Sequence, residues 1–201
     1  MLGNELDVNQ YVERLQVELG RVDLSEVRRL ADLIHEAWQQ GRFVFFFGNG
    51  GSATTVSHLA EDLGKNCFRT TDTDLQTQRR LKVLSLTDNT GWLTALGNDL
   101  GYDRIFVEQL IHYAQPGDLA VAISGSGNSP NVLEAVEWAN TRGLVTYGMT
   151  GYDGGKLKQL QQAGLHVALD DMAMVETIHL AVCHWIVDDL CARINETGRH
   201  G

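Results

Sequence analysis

Cysteine is scarce in these 201 residues. There are three, Cys67, Cys183 and Cys191, and no two stand in a CxxC spacing. An odd count without that spacing excludes a cysteine-rich secreted scaffold, and a disulfide framework is not expected; a reducing, cytoplasmic setting fits. Basic residues are also few: 16 Lys+Arg stand against 26 Asp+Glu, for a net charge of −10. A surface of that sign repels a phosphate backbone, so no nucleic-acid partner is expected. An anionic ligand must instead be held by local backbone donors. The longest apolar run, 43–47, falls far short of a bilayer span. The first twenty residues, MLGNELDVNQYVERLQVELG, offer no apolar stretch for a signal peptide, so no membrane contact is expected. Neither GxxxxGK[ST] nor GxGxxG occurs, which disfavours a nucleotide P-loop and a dinucleotide fold, and no organic cofactor is expected.

What is present is the pattern of a globular chain, 43% hydrophobic and 21% charged. Apolar residues at helical spacing mark two amphipathic helices, 8–20 and 23–41, with Asp23 and Ser25 as candidate caps. An apolar strand at 43–47 is followed by three further strand-and-turn units, 81–89, 118–131 and 144–155, and by a fifth strand at 164–168. Helical stretches separate them, at about 53–65, 91–97, 102–113, 130–142 and 156–162, and the longest, 172–195, closes the chain. This alternation predicts an α/β domain with a doubly wound, five-stranded parallel sheet, preceded by a helix pair. The polar, Thr-rich stretch 66–80 reads as a long loop.

Ligands of open parallel sheets sit at the carboxyl ends of the strands. Two of those ends are built for an anion. Gly48-Asn49-Gly50-Gly51-Ser52 follows the first strand, and Ser124-Gly125-Ser126-Gly127-Asn128-Ser129 follows the third. Each runs directly into a helix, whose free N–H groups and positive dipole end point outward. Ser124, Ser126 and Ser129 add hydroxyl donors, and Pro130 suits the first helical position after Ser129, the expected cap. Tight turns alone would explain one such loop; two at neighbouring strand ends point to a small phosphorylated metabolite.

A second pattern lies on the helices. His58 and Asp62 stand at i and i+4 and share a face, with Glu61 beside them. On the last helix Glu176 and His184 are eight residues apart, about 80° in projection. Acids and histidines at such spacing are common on solvated faces, but these four could also converge on a divalent cation, most simply Zn²⁺. Cys183 and Cys191 read as small core fillers, and Asp188 and Asp189 as a solvated face.

GNGGSA, ISGSGNS, GND at 97–99 and TGYDGG at 150–155, in this order and spacing, resemble the SIS-domain sugar-phosphate proteins, most closely the phosphoheptose isomerase group. The resemblance runs from about residue 8 to 195, and divides the chain into a helical segment, 1–42, for oligomerisation and a SIS domain, 43–201. It implies a homotetramer with a phosphorylated sugar as substrate. It also implies isomerisation of sedoheptulose 7-phosphate to D-glycero-D-manno-heptose 7-phosphate through a cis-enediol, feeding nucleotide-heptose synthesis. Carried over, the metal ligands are His58, Asp62, Glu176 and His184. Asp62 is the base, with Glu61 in reserve, and His184 the acid. The substrate would meet Asn49, Gly50, Gly51, Ser52, Asp88 or Asn89, Ser124, Gly125, Ser126, Ser129 and Glu176. Two ligands depart from the family pattern: Asp62 stands where it has Glu, and Glu176 where it has Gln. The family's Arg after the first-helix acids is missing, with Lys65, Arg69, Arg79 and Arg80 as candidate replacements. The alternatives are a noncatalytic SIS tetramer that binds the replication initiator DnaA, and an isomerase or sensor of another sugar phosphate.

Overall fold

The computed structural model describes residues 5–67 and 79–196. Its centre is a parallel sheet of five strands in the order β2-β1-β3-β4-β5. They are β1 (Phe43–Gly48), β2 (Lys82–Ser85), β3 (Leu119–Ser124), β4 (Val145–Thr150) and β5 (Ala163–His166). The chain leaves β1 for one edge and returns to β1's other side with β3, so the topological switch point falls between β1 and β3. Both glycine-rich turns emerge there, side by side, where such sheets bind ligands.

Alternation along the central strands sorts the two faces. Val44 and Phe46 of β1 and Leu119, Val121 and Ile123 of β3 pack against α2 (Leu24–Gln40), α3 (Gly51–Asn66) and α8 (Met172–Ile194). Phe45, Phe47, Ala120 and Ala122 face α5 (Val107–Tyr113) and α6 (Pro130–Thr141). The two small alanines of β3 let α6 approach through Val132, Ala135 and Ala139, all fully buried. The remaining helices are α1 (Val8–Leu19), α4 (Thr90–Asp99) and the single turn α7 (Leu157–Leu160).

Most helix boundaries fall within two residues of expectation. Asp23 caps α2 by accepting from Ser25 N at 2.9 Å; Ser25 is no cap, since its hydroxyl donates to the same carboxylate. The capping box of α1, Asp7 with Gln10, went unread. The helix expected over 102–113 is a 3₁₀ turn, Tyr102–Arg104, followed by α5 from Val107. The helix expected over 156–162 stops at Leu160: Gln161 is extended, and its side chain lies over Gly148 and Gly164 of the sheet.

Two readings of the last helix are corrected. Cys191 is not a lone core filler but is disulfide-bonded to Cys67 at the end of α3, with Cα atoms 4.4 Å apart. The sequence gives no hint of this bond, because its partners are 124 residues apart. Asp189 is 7% exposed rather than solvated, and its Oδ2 lies 2.6 Å from Arg193 Nε. Cys183 is buried and free, and burial pushes its thiol up to about 12, so it is an inert core residue as expected. No described helix is long and apolar enough to cross a membrane.

Candidate active site

Helices α3 and α8 each follow the carboxyl end of the sheet and run side by side in the same direction. Gly51 meets Glu176 near their starts, His58 meets His184 further along, and Cys67 meets Cys191 at their ends. That parallel alignment brings together residues more than a hundred positions apart. His58 Nε2 lies 3.2 Å from Asp62 Oδ2, and the rings of His58 and His184 meet edge to face with centroids 5.0 Å apart. One ligand atom from each of His58, Asp62 and His184 lies within 4.8 Å of the other two. Two imidazole nitrogens and a carboxylate oxygen are a donor set that fits a borderline divalent cation and leaves a coordination position open. Both histidines are exposed, so the group opens at the protein surface.

Not every predicted ligand joins it. Glu176 sits eight residues before His184, about 12 Å along the helix axis, and its carboxylate turns to Gly51: a Cβ there would collide with Oε2 and stand 2.6 Å from Oε1. Glu61 points to Lys65, whose Nζ is 2.6 Å from Glu61 Oε1; that pairing raises the Lys65 ammonium pKa. Asp62 is heavily engaged. Besides His58, its Oδ1 accepts from Asn66 Nδ2 at 3.1 Å and lies 3.5 Å from Lys65 Nζ. Of the cations considered as replacements for the missing Arg, Arg79 donates to Gln39 O at 2.5 Å and stacks over Trp38, at the end of α2. Arg69 lies outside the described residues.

The two glycine turns are braced differently. Asn49 and Asn131 exchange amide hydrogen bonds of 2.8 and 2.9 Å, and Tyr102 donates to Asn49 Oδ1 at 3.0 Å. This pair ties the turn after β1 to the start of α6. Gly50, at φ 56°, begins α3 without a side-chain cap, and Ser52 is buried in its first turn. In the second turn Ser124 Oγ accepts from Gly127 N at 3.2 Å and lies 3.4 Å from Ser129 Oγ, while Ser126 Oγ accepts from Asn128 N at 3.3 Å. Ser129 begins α6 without using its hydroxyl as a cap, so that group is available to a ligand. The 150–155 segment clamps this turn from outside: Gly151 N donates to Gly125 O at 2.8 Å, and Leu157 N to Gly127 O at 2.9 Å. Beside Ser126 and Asn128 lies an open cavity of about 670 Å³, lined also by Tyr152, Asp153, Asp170 and Met172.

Asp88 and Asn89 stand at the end of the β2 segment. Asp88 Oδ1 accepts from Ser57 Oγ, within a hydroxyl network that includes Thr87 at 2.9 Å from Ser57. Asn89 caps α4 by accepting from Trp92 N at 3.0 Å. Sequence reasoning missed Asn131, Ser57 and Tyr102. For Asn131 the available signal was an Asn directly after Pro130, an amide that competes with the helix backbone for hydrogen bonds.

Comparison with known proteins agrees with this geometry. The family model described as "SIS domain" matches residues 9–151. The phosphoheptose isomerase of Aliarcobacter butzleri is 40% identical over 186 residues, covering 92% of this chain and 90% of that protein. That of Rhodospirillum rubrum is 36% identical over 170 residues, 83% and 87% of the two chains. The solved phosphoheptose isomerase of Neisseria gonorrhoeae superposes with a TM-score of 0.81 at 29% identity, over 94% of this chain and 98% of that one. A sheet in this order, two glycine-rich turns at its switch point and a match over most of the length leave one conclusion: the chain belongs to the SIS-domain family.

Proposed function

We propose that the protein is an aldose–ketose isomerase that interconverts sedoheptulose 7-phosphate and a manno-heptose 7-phosphate. Its full-length similarity to phosphoheptose isomerases carries this reading, together with the placement of His58, Asp62 and His184 on the two helices that start beside the ligand turns. The alternative of a noncatalytic binder of a replication initiator finds no support in these relatives.

Such a reaction moves one proton between adjacent carbons and another between adjacent oxygens. In the proposed arrangement the serine turn holds the distal phosphate through backbone N–H groups and the Ser126 and Ser129 hydroxyls, which fixes the carbon chain. The turn after β1 faces the carbonyl end. His58, Asp62 and His184 are the residues that would hold a zinc ion. A bound ion there supplies charge stabilisation to a carbonyl or enediolate oxygen. The second ring nitrogen of His184 would carry the proton that passes between the two oxygens.

The active assembly is proposed to be a homotetramer. Helix α1 buries none of its residues in its own subunit, and Val8, Val12, Val17 and Leu19 are exposed along it. A groove of about 350 Å³ lined by Leu19, Leu24, Val27, Val182 and Trp185 adjoins it, on the same helix that carries His184. A second copy of the chain would cover that apolar surface and close the exposed histidine site. Incubation with a panel of C5–C7 ketose phosphates, with and without zinc, tests the reading. NMR should show aldose from the seven-carbon substrate, and absence of aldose from every member of the panel would overturn it.

A further inference from the structure

We infer that Cys67 and Cys191 form a reversible redox latch that fixes the far end of α3 against α8. The two helices meet at three levels, and only the last is covalent. At its start α8 lies across both glycine-rich turns: a Cβ on Gly125 would collide with Met172 Sδ, and one on Gly51 with the Glu176 carboxylate. Midway the rings of His58 and His184 meet. At the far end Cys67, the residue that closes α3, is bonded to Cys191 near the end of α8.

The two helix ends are anchored unequally. The end of α8 is tied to α2 without the bond: Arg193 donates to Asp32 Oδ1 at 2.6 Å, and it also pairs with Asp189 one turn earlier. Apart from Cys67 itself, the last turn of α3 has no such polar tie among the described residues. Its partners, Lys65 with Glu61 and Asn66 with Asp62, lie within the helix. Opening the bond therefore loosens α3 more than α8. Asp62 stands five residues before Cys67, about 7.5 Å along the axis, so the loosened segment carries one of the three clustered donors.

Both redox states have a place in the fold. Cys191 is half-buried, which leaves its sulfur open to a small thiol or disulfide. Cys67 is 2% exposed, and its sulfur lies 3.9 Å from the Val187 carbonyl, an acceptor for the thiol once the bond opens. Cys183 takes no part: it is buried and stands eight residues before Cys191, about 12 Å along α8. The chemistry balances with a small-molecule disulfide as oxidant and its thiol as reductant. The Cys191 thiolate attacks one sulfur of the disulfide and expels a thiolate. The Cys67 thiolate then attacks the Cys191 sulfur of the mixed disulfide and expels the second. Two protein thiols lose two electrons and two protons, and the small disulfide becomes two thiols. Excess thiol runs the same steps backwards. The bond joins residues 124 apart, so the oxidised form is the more stable.

The test equilibrates the folded protein with mixtures of reduced and oxidised glutathione. Alkylated after unfolding and read by mass spectrometry, the oxidised protein should take one label, at Cys183, and the reduced protein three. Oxidation should raise the melting temperature by about 5–15 °C. It should also slow amide hydrogen exchange in the last turn of α3 more than in that of α8. Zinc retained after dialysis should fall on reduction. Cys191→Ser should abolish every one of these differences, and Cys67→Ala, at the buried end, should do the same; Cys183→Ala should keep them. Three labels in every mixture would show that no bond forms, one label in every mixture that it never opens, and either overturns the latch. A bond that forms and opens without changing exchange in α3 would overturn its hold on that helix. None of these measurements uses a sugar phosphate, so the isomerase reading fails or stands separately.

Discussion

The turn after β1 and the turn after β3 share one local recipe, a glycine-rich bend between a buried strand and a helix. They end in opposite chemistry. The second collects hydroxyls, Ser124, Ser126 and Ser129, and is clamped by backbone hydrogen bonds from the 150–155 segment. The first collects amides, Asn49 and Asn131, and has the Glu176 carboxylate over Gly51 at the start of α3. A helix N-terminus attracts anions, but one faced by its own carboxylate is poorly disposed to a phosphate. The difference teaches that the loop alone does not select the ligand; what a distant helix lays across it does. On this reading phosphate goes to the serine turn, and the carbonyl end of the sugar to the turn beside α3 and α8.

The sharpest way to break the comparison is at the acid/base end. His184→Ala should reduce turnover by about 10²–10⁴-fold, the usual worth of one proton-transfer group. Its fold should stay intact, because the side chain is exposed; circular dichroism and a turnover assay check both, and retained activity removes His184 from the mechanism.

Matching glycine substitutions in the two turns come next. Gly127 has φ 64°, and a Cβ there would strike the backbone oxygen of Gly154, which cannot move aside. Gly127→Ala should therefore destabilise the protein by about 2 kcal/mol or more, seen in chemical denaturation. Gly51→Ala meets only the end of a flexible side chain, so it should lose activity while keeping most of its stability. Equal stability losses in both would erase the distinction between the turns.

Removing a phosphate-facing hydroxyl should be milder. Ser129→Ala deletes a group that caps nothing, so KM should rise roughly 5–30-fold, about 1–2 kcal/mol for a hydrogen bond to a charged ligand, with kcat little changed. A change confined to kcat would place the phosphate elsewhere. His58→Ala should leave phosphate affinity alone and lower the zinc retained after dialysis, read by elemental analysis.

A pH effect concerns the helix that crosses both turns. His179 of α8 is fully buried, and burial lowers its pKa from 6.5 to about 4. Below pH 6.5 the unfolded chain takes up a proton that the folded chain refuses, so stability falls as pH drops from 6.5 toward 4. The slope is at most ~1.4 kcal/mol per pH unit from this group. His179→Leu should flatten the fall in melting temperature between about pH 7 and pH 5; an unchanged pH profile would place the sensitivity elsewhere.

Much of the fold was legible because it rests on local periodicity. Short apolar runs such as Phe43–Phe47, ending at glycine-rich turns, mark buried strands, and the Asp23 cap and Pro130 at the first helical position marked helix starts. The site was legible in part. His58 and Asp62 share a face by helical geometry alone, but their meeting with His184 depended on the resemblance, since nothing local relates residues 126 positions apart. The Cys67–Cys191 bond, the Asn49–Asn131 pair and the burial of Asp189 were all missed for that same reason.

The amino-acid order by itself determined which segments become strands and helices, and that two glycine-rich turns face outward at strand ends, because these follow from side-chain period and backbone freedom within a few residues. Only the tertiary structure decided which carboxylate stands free and which is tied up. That choice depends on α3 and α8 lying parallel on one face of the sheet, which sets Asp62 beside His58 and Lys65 and leaves Glu176 alone above Gly51.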